Sequence, residues 1–193
     1  MDLSHVNSPS QSPPNFHIGP YRIGGPYAKY ILFLLILVYA MNLLDRQILA
    51  ILAGEIQADL GISDSQMGFL YGTSFAVFYA IFVLPLGRLA DLWVRKTLIA
   101  CGLFTWSLMT MLCGMAGGAA SLTFFRFGVG IGEATATPSA YSLLSDWFEP
   151  KDRASVIAIY STGAYIGMGL SMFIGGWIVD WWNLSYPDIA NAP

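Results

Sequence analysis

The sequence is poor in charge. Of 193 residues, 9 are Lys or Arg and 12 are Asp or Glu, so 11% are charged while 55% are apolar. Soluble domains carry about 25% charged residues. A chain this apolar reads as a multi-span membrane protein. Histidine is scarcer still. His5 and His17 both lie near the N-terminus, which leaves the apolar part without a His-based metal site or catalytic dyad. Ser139, Ser142 and Ser145 therefore have no His to activate them. The only cysteines, Cys101 and Cys113, share one apolar segment and read as small buried residues, not a disulfide or a metal pair. No basic run points to nucleic acid, and no P-loop to a built-in ATP motor. The first residues lack the basic region and apolar run of a secretory signal. Gly128-Val-Gly130-Ile-Gly132-Glu133 is not a dinucleotide fingerprint, because Glu133 fills the position of the last glycine. The expectation is a non-enzyme with no metal and no cofactor.

What the sequence does have is a series of apolar spans. Residues 1–28 are rich in Ser, Pro, Gly and Asn and read as a disordered cytoplasmic tail. Five transmembrane helices are expected at about residues 29–52, 66–86, 97–116, 122–144 and 154–178, with 184–193 as an extracytoplasmic loop cut short. Tyr27, Lys29 and Tyr30 mark one interface, and Trp177, Trp181, Trp182 and Tyr186 another. The loop at 54–66 carries Glu55, Asp59 and Asp64 and no cation, and it ends in the capping box Ser63-Asp-Ser-Gln66. If the spans alternate, Arg22, Lys29, Arg88, Arg95, Lys96, Lys151 and Arg153 all fall on one side, which places the N-terminus in the cytoplasm. Small residues recur every four positions: Gly68 and Gly72; Gly128, Gly132, Ala136 and Ala140; Gly163, Gly167, Ser171 and Gly175. Such ridges let helices approach closely.

Charge inside the spans is confined to two places. Asn42, Asp45, Arg46 and Gln47 interrupt the first span, and Arg126 and Glu133 the fourth. Ionisable groups in a bilayer are costly and mark function by default. Arg126 and Glu133 are seven residues apart, about two turns, so they share a face roughly 10 Å apart along the axis. Asn42 is spaced to hydrogen-bond with Asp45 and Arg46 along one side of its helix. From the span limits, Asp45, Arg46 and Arg126 lie roughly 7–10 Å outside the midplane and Glu133 near it. If the two spans are neighbours, all four groups line one cavity. It is neutral with both acids ionised and +1 once either is protonated, which favours an anion. Two bland readings stand beside this one: Asp45 and Arg46 as a self-neutralising pair, and Arg126 with Glu133 as a permanent brace.

The loop Gly87-Arg-Leu89-Ala90-Asp91-Leu-Trp-Val-Arg95-Lys96 resembles the signature of the major facilitator superfamily, departing from it at Leu92 and Val94. Asn42-Leu-Leu-Asp45-Arg46, the stretch from Arg126 through Glu133-Ala134 to Pro138, Ser145-Asp146 and Arg153-Ala154 are similar to the spinster branch. The resemblance covers about residues 29–183. It implies an all-α membrane protein with five transmembrane helices of a six-helix N-terminal half, the C-terminal half being absent. It implies secondary transport of an amphipathic, anionic, lipid-like solute (lysophospholipid or sphingoid type) by alternating access, with the proton as coupling ion. Small organic acids are the alternative solute, and a truncated, non-transporting membrane fragment the alternative role. Carried over, Asp45 and Glu133 are the proton-coupling acids, and Arg46, Arg126 and Asn42 bind solute or partner the acids. Gly87, Asp91, Arg95 and Lys96 form a cytoplasmic gate, with a merely solvated loop residue as the lesser reading of Asp91. Met172 stands where the antiporter signature has proline, so that motif does not imply antiport. Membrane lipid is the expected surrounding, in a bacterial inner membrane.

The topology is testable. Ser63→Cys should react with a membrane-impermeant thiol reagent applied to intact cells. Reaction only after permeabilisation would reverse the assignment.

Overall fold

A computed structural model describes residues 17–18 and 21–185. Seven helices follow a two-residue antiparallel pairing of β1 (His17–Ile18) with β2 (Tyr21–Arg22). They are α1 (Pro26–Ile51), α2 (Ala53–Leu60), α3 (Asp64–Gly68), α4 (Phe75–Leu92), α5 (Arg95–Cys113), α6 (Ala119–Trp147) and α7 (Arg153–Ser185). A π-helical turn, Phe69–Ser74, joins α3 to α4 without a break.

Local chemistry explains the boundaries. Pro26 opens α1, where its fixed φ and missing N–H cost nothing. Residues 26–28, expected in the tail, are thus helical, and Ala28 is fully buried. The rest of the expected tail at 1–16 and 19–20, and positions 186–193 with Tyr186, lie outside the described residues. The Ser63 capping box forms as expected: the Gln66 amide donates to Ser63 Oγ, and the Ser63 amide donates to Gln66 Oε1. The acidic loop at 54–66 is not a loop. Most of it is α2, because Ala53, Ile56 and Leu60 fall on one helical face and pack against a cluster of Leu49, Ile62, Met67, Leu70 and Leu122. Gly61 then stops α2 in the left-handed conformation, at φ 61°.

The helices pack as two close pairs with one joining helix: α1 along α7, α5 along α6, and α4 also along α6. The small-residue ridges set these distances. A Cβ on Gly167 would stand 2.2 Å from the Ala40 carbonyl oxygen, and one on Gly163 would stand 2.7 Å from that of Ile36. Across the α5–α6 seam, a Cβ on Gly132 would meet the Trp106 amide nitrogen at 2.7 Å. Gly68 and Gly72 behave otherwise. Nothing stands within 4 Å of a Cβ on either, so this ridge is not a helix contact.

Four helical stretches are long and apolar enough to cross a membrane: Pro26–Ile51, Asp64–Leu92, Arg95–Cys113 and Arg153–Trp182. The expected fourth span, within α6, is long but too polar to be among them. The reason is its position. Flanked by α4 and α5, and touched also by α1 and α7, it buries thirteen residues, including Arg126, Glu133, Thr135 and Ser139. A helix screened by other helices needs no lipid-like surface. The apolar side chains are displayed by its neighbours instead, among them Leu84, Phe104, Met172 and Phe173. Cys101 belongs to that outer surface, contrary to its expected burial, and Cys113 is half-buried; both are free thiols.

The backbone contact at Gly167 gives a stability test. Gly167→Ala should destabilise the fold by about 2 kcal/mol, as overpacking against an immovable backbone does. Gly68→Ala should leave thermal unfolding unchanged or slightly improved. Equal melting of both variants would refute the seam.

Candidate functional site

The centre of the site joins two helices. Arg46 on α1 reaches Glu133 on α6 through both Nη2, at 2.7 Å, and Nε, at 2.8 Å, and both contacts fall on Oε2. The Glu133 side chain is fully buried, whereas that of Arg46 is one-third exposed. Asn42, one turn before Arg46 and also buried, faces the same carboxylate. Asp45 turns the other way, to α5, where its Oδ2 accepts from Trp106 Nε1 and, at 3.4 Å, from Thr110 Oγ1. The two bland readings are thereby corrected. Asp45 and Arg46 do not neutralise each other, since consecutive residues project about 100° apart on a helix. Arg126 does not brace Glu133: among the described residues the ion pair of that carboxylate is with Arg46, on Oε2.

Arg126 is 4% exposed and its Nε has no hydrogen-bond partner. Among the described residues it makes no ion pair. Glu133 Oε1 is likewise buried without a partner. Arg126 lines a cavity of about 330 Å³ between α1, α2, α5 and α6. Asp45, Asp59, Thr110 and Cys113 share the wall, which is otherwise mostly aliphatic, with Ile48, Leu49 and Leu122 among its residues. The first and fourth expected spans thus meet through side chains and around a cavity, while their main packing is against other helices.

Phe75 completes the centre. Its ring lies 4.3 Å from the Arg46 guanidinium carbon and 5.5 Å from that of Arg126. The π turn puts it there. Counted as an uninterrupted α-helix, Phe75 would fall roughly 110° away from the buried face of Met67 and Leu70. A π turn holds more residues per revolution, so Phe75 returns to that face. Sequence periodicity carries no signal for this. Trp106 and Thr110 were also missed, although their i, i+4 spacing puts two polar tips on one face of an apolar helix.

The expected gate residues lie at the basic end. Arg95 pairs with Asp146 in the last turn of α6, and its Nε donates to the Ala90 carbonyl at 3.3 Å. Arg153 Nη2 donates to the Ser145 carbonyl at 2.7 Å, tying α7 to the end of α6. Lys96 sits 5.8 Å over the Tyr27 ring. A Cβ on Gly87 would stand at ordinary contact distance from Pro138 of α6. Asp91 is exposed and, among the described residues, its side chain makes no hydrogen bond or ion pair.

Comparison with known proteins gives this arrangement a family. Two solved structures of a bacterial homolog of the human lysosomal transporter Spinster, both inward-facing, share the fold. The occupied one has a TM-score of 0.78 at 37% identity, covering 86% of this chain and 36% of the other. The unoccupied one has 0.76 at 38%, covering 85% and 35%. Among curated relatives, a "Probable galactarate/D-glucarate transporter" of Bacillus subtilis (strain 168) is 34% identical over 155 residues, 77% of this chain and 34% of its own length. An "MFS-type efflux pump" of Mycolicibacterium smegmatis is 34% identical over 166 residues, 82% of this chain and 39% of its own. These relatives are named as transporters, not enzymes, and the chain spans about a third of their length. The family profile described as Major Facilitator Superfamily matches residues 35–193. On the glycine seams, the buried charges and this match together, the chain belongs to the major facilitator superfamily, as a spinster-like integral membrane protein.

Proposed function

We propose that this chain is the N-terminal half of a secondary transporter that moves an anionic, amphipathic solute by proton-linked alternating access. One observation carries the reading: Arg126 is a buried cation without an ion pair that opens onto a mostly aliphatic cavity. A buried charge without a partner is costly unless something compensates it. A solute with one acidic group and an apolar body supplies both the charge and the surface. Glu133 is the proton site in this reading and Asp45 a second acid, while Asn42 and Arg46 orient the Glu133 carboxylate. Protonation of either acid leaves the centre at +1 and draws the anion in. Gly87, Asp91, Arg95 and Lys96 then act at the cytoplasmic gate against the second half of the transporter. The one-sided basic residues support a cytoplasmic N-terminus, and the bacterial relatives support an inner membrane. No metal or organic cofactor enters this scheme.

The named relatives favour a second reading, in which the solute is a sugar acid of the galactarate or hexuronate kind. Competition separates the two. A long-chain anionic amphiphile displaces the solute under the first reading, and D-glucarate under the second.

The coupling is tested in vesicles holding the whole transporter that contains this half. Glu133→Gln should abolish uphill accumulation under a pH gradient and spare solute binding. Arg126→Ala should weaken binding about tenfold or more, the effect of losing one charge-assisted hydrogen bond. Uphill transport by Glu133→Gln at the wild-type rate would make Glu133 structural.

A further inference from the structure

Two buried atoms of opposite charge stand without partners on one face of α6: Arg126 Nε and Glu133 Oε1. They belong to side chains two turns apart, about 10 Å along the axis, a gap that a long arginine and a glutamate can close between them when nothing fills it. Between them on that face is Gly130, four residues after Arg126 and three before Glu133. Gly130 has no side chain to fill the gap, and the Phe75 ring fills it: a Cβ on Gly130 would stand 3.5 Å from that ring. The ring also touches both guanidinium groups, at 4.3 Å to Arg46 and 5.5 Å to Arg126. A ring face is negative and attracts cations, so one Phe holds two like charges beside it. Tyr79, stacked on Phe75 at 5.9 Å, backs the ring.

We infer that Phe75 is a positioning residue that keeps Arg126 from collapsing onto Glu133. The ring assigns Arg46 to the carboxylate and leaves Arg126 directed to the cavity, where an anion is to be held. The inference rests on the reading of Arg126 as the cavity's anion anchor. It adds that the anchor exists because an aromatic wedge separates it from the nearest acid. A merely bulky residue at position 75 fills the space without the attraction to either cation, and Arg126 then falls back to Glu133.

Cys113 provides the readout, because it lines the same cavity as Arg126. The whole transporter, with Cys113 as its only thiol, is labelled with a negatively charged and a positively charged methanethiosulfonate of similar size. The ratio of the two rates reports the charge in the cavity, whether or not solute is transported. Arg126→Gln should lower the anionic-to-cationic ratio about fivefold, as expected from removing one nearby, partly screened charge. Phe75→Leu and Phe75→Met should lower it almost as far, and Phe75→Tyr should restore it. In a Glu133→Gln background, Phe75→Leu should make no difference, since Arg126 then has no acid to fall onto. An unchanged ratio in Arg126→Gln would remove the anion anchor, and this inference with it. A drop in Arg126→Gln alone, with Phe75→Leu like the wild type, would overturn the wedge and leave the anchor standing. Equal drops in Phe75→Leu and Phe75→Tyr, or a drop that persists in the Glu133→Gln background, would reduce Phe75 to packing.

Discussion

The pairing of Arg46 with Glu133 is the interaction on which the rest depends. The carboxylate is fully buried, and both bonds fall on a single oxygen. An ionised carboxylate in such a place must be paired and hydrogen-bonded, and removing one partner of a buried pair costs about 3–5 kcal/mol. The pair therefore fixes α1 against α6 at one height, although their main packing lies elsewhere. α1 packs on α7, and α6 packs on α5 and α4. The pair adds a polar contact to the apolar cluster of Ile31, Leu35, Ile99, Leu143, Leu144 and Tyr160, which already joins the two seams.

The seams are built from absence of side chains. Apolar residues gain nothing by leaving lipid for another helix, so helices in a membrane associate through close van der Waals contact. Gly163 and Gly167 bring α7 onto the α1 backbone, and Gly102 and Gly132 do the same for α5 and α6. Thr135 sits in the second seam and satisfies its hydroxyl on the Gly132 carbonyl at 2.8 Å, so its polarity costs little there. These contacts enclose one side of α6 so well that Arg126, Glu133, Thr135 and Ser139 are all buried.

The asymmetry between the two arginines follows from this enclosure. Arg46 is satisfied by Glu133 and by two rings, Phe75 at 4.3 Å and Tyr79 at 5.4 Å. Arg126 has Phe75 at 5.5 Å and a cavity in front of it and, among the described residues, no ion pair. Asp45, one residue before Arg46, is held by Trp106 and Thr110 on α5, so it is not free to swing toward Arg126. One arginine is thus held in a strong pair and the other kept out of it, although the four charges sum to zero.

Much of this was legible in the sequence. Scarce charge and long apolar runs set the membrane class. Ser63 and Gln66 marked a helix start, the four-residue spacing of Gly163, Gly167, Ser171 and Gly175 marked a real seam, and Asp45, Arg46, Arg126 and Glu133 stood out as the only charges well inside the spans. Periodicity determines which residues share a face of one helix. It does not determine which face meets which neighbour. Arg46 and Glu133 are 87 positions apart, and only the packing of α1 with α6 chose Glu133 over Asp45 as the partner. The same spacing that made a seam on α7 made none at Gly68 and Gly72, because no helix lies against them. Phe75 was invisible for a further reason: the π turn before it shifts the helical phase, and that shift belongs to the folded backbone rather than to any residue type.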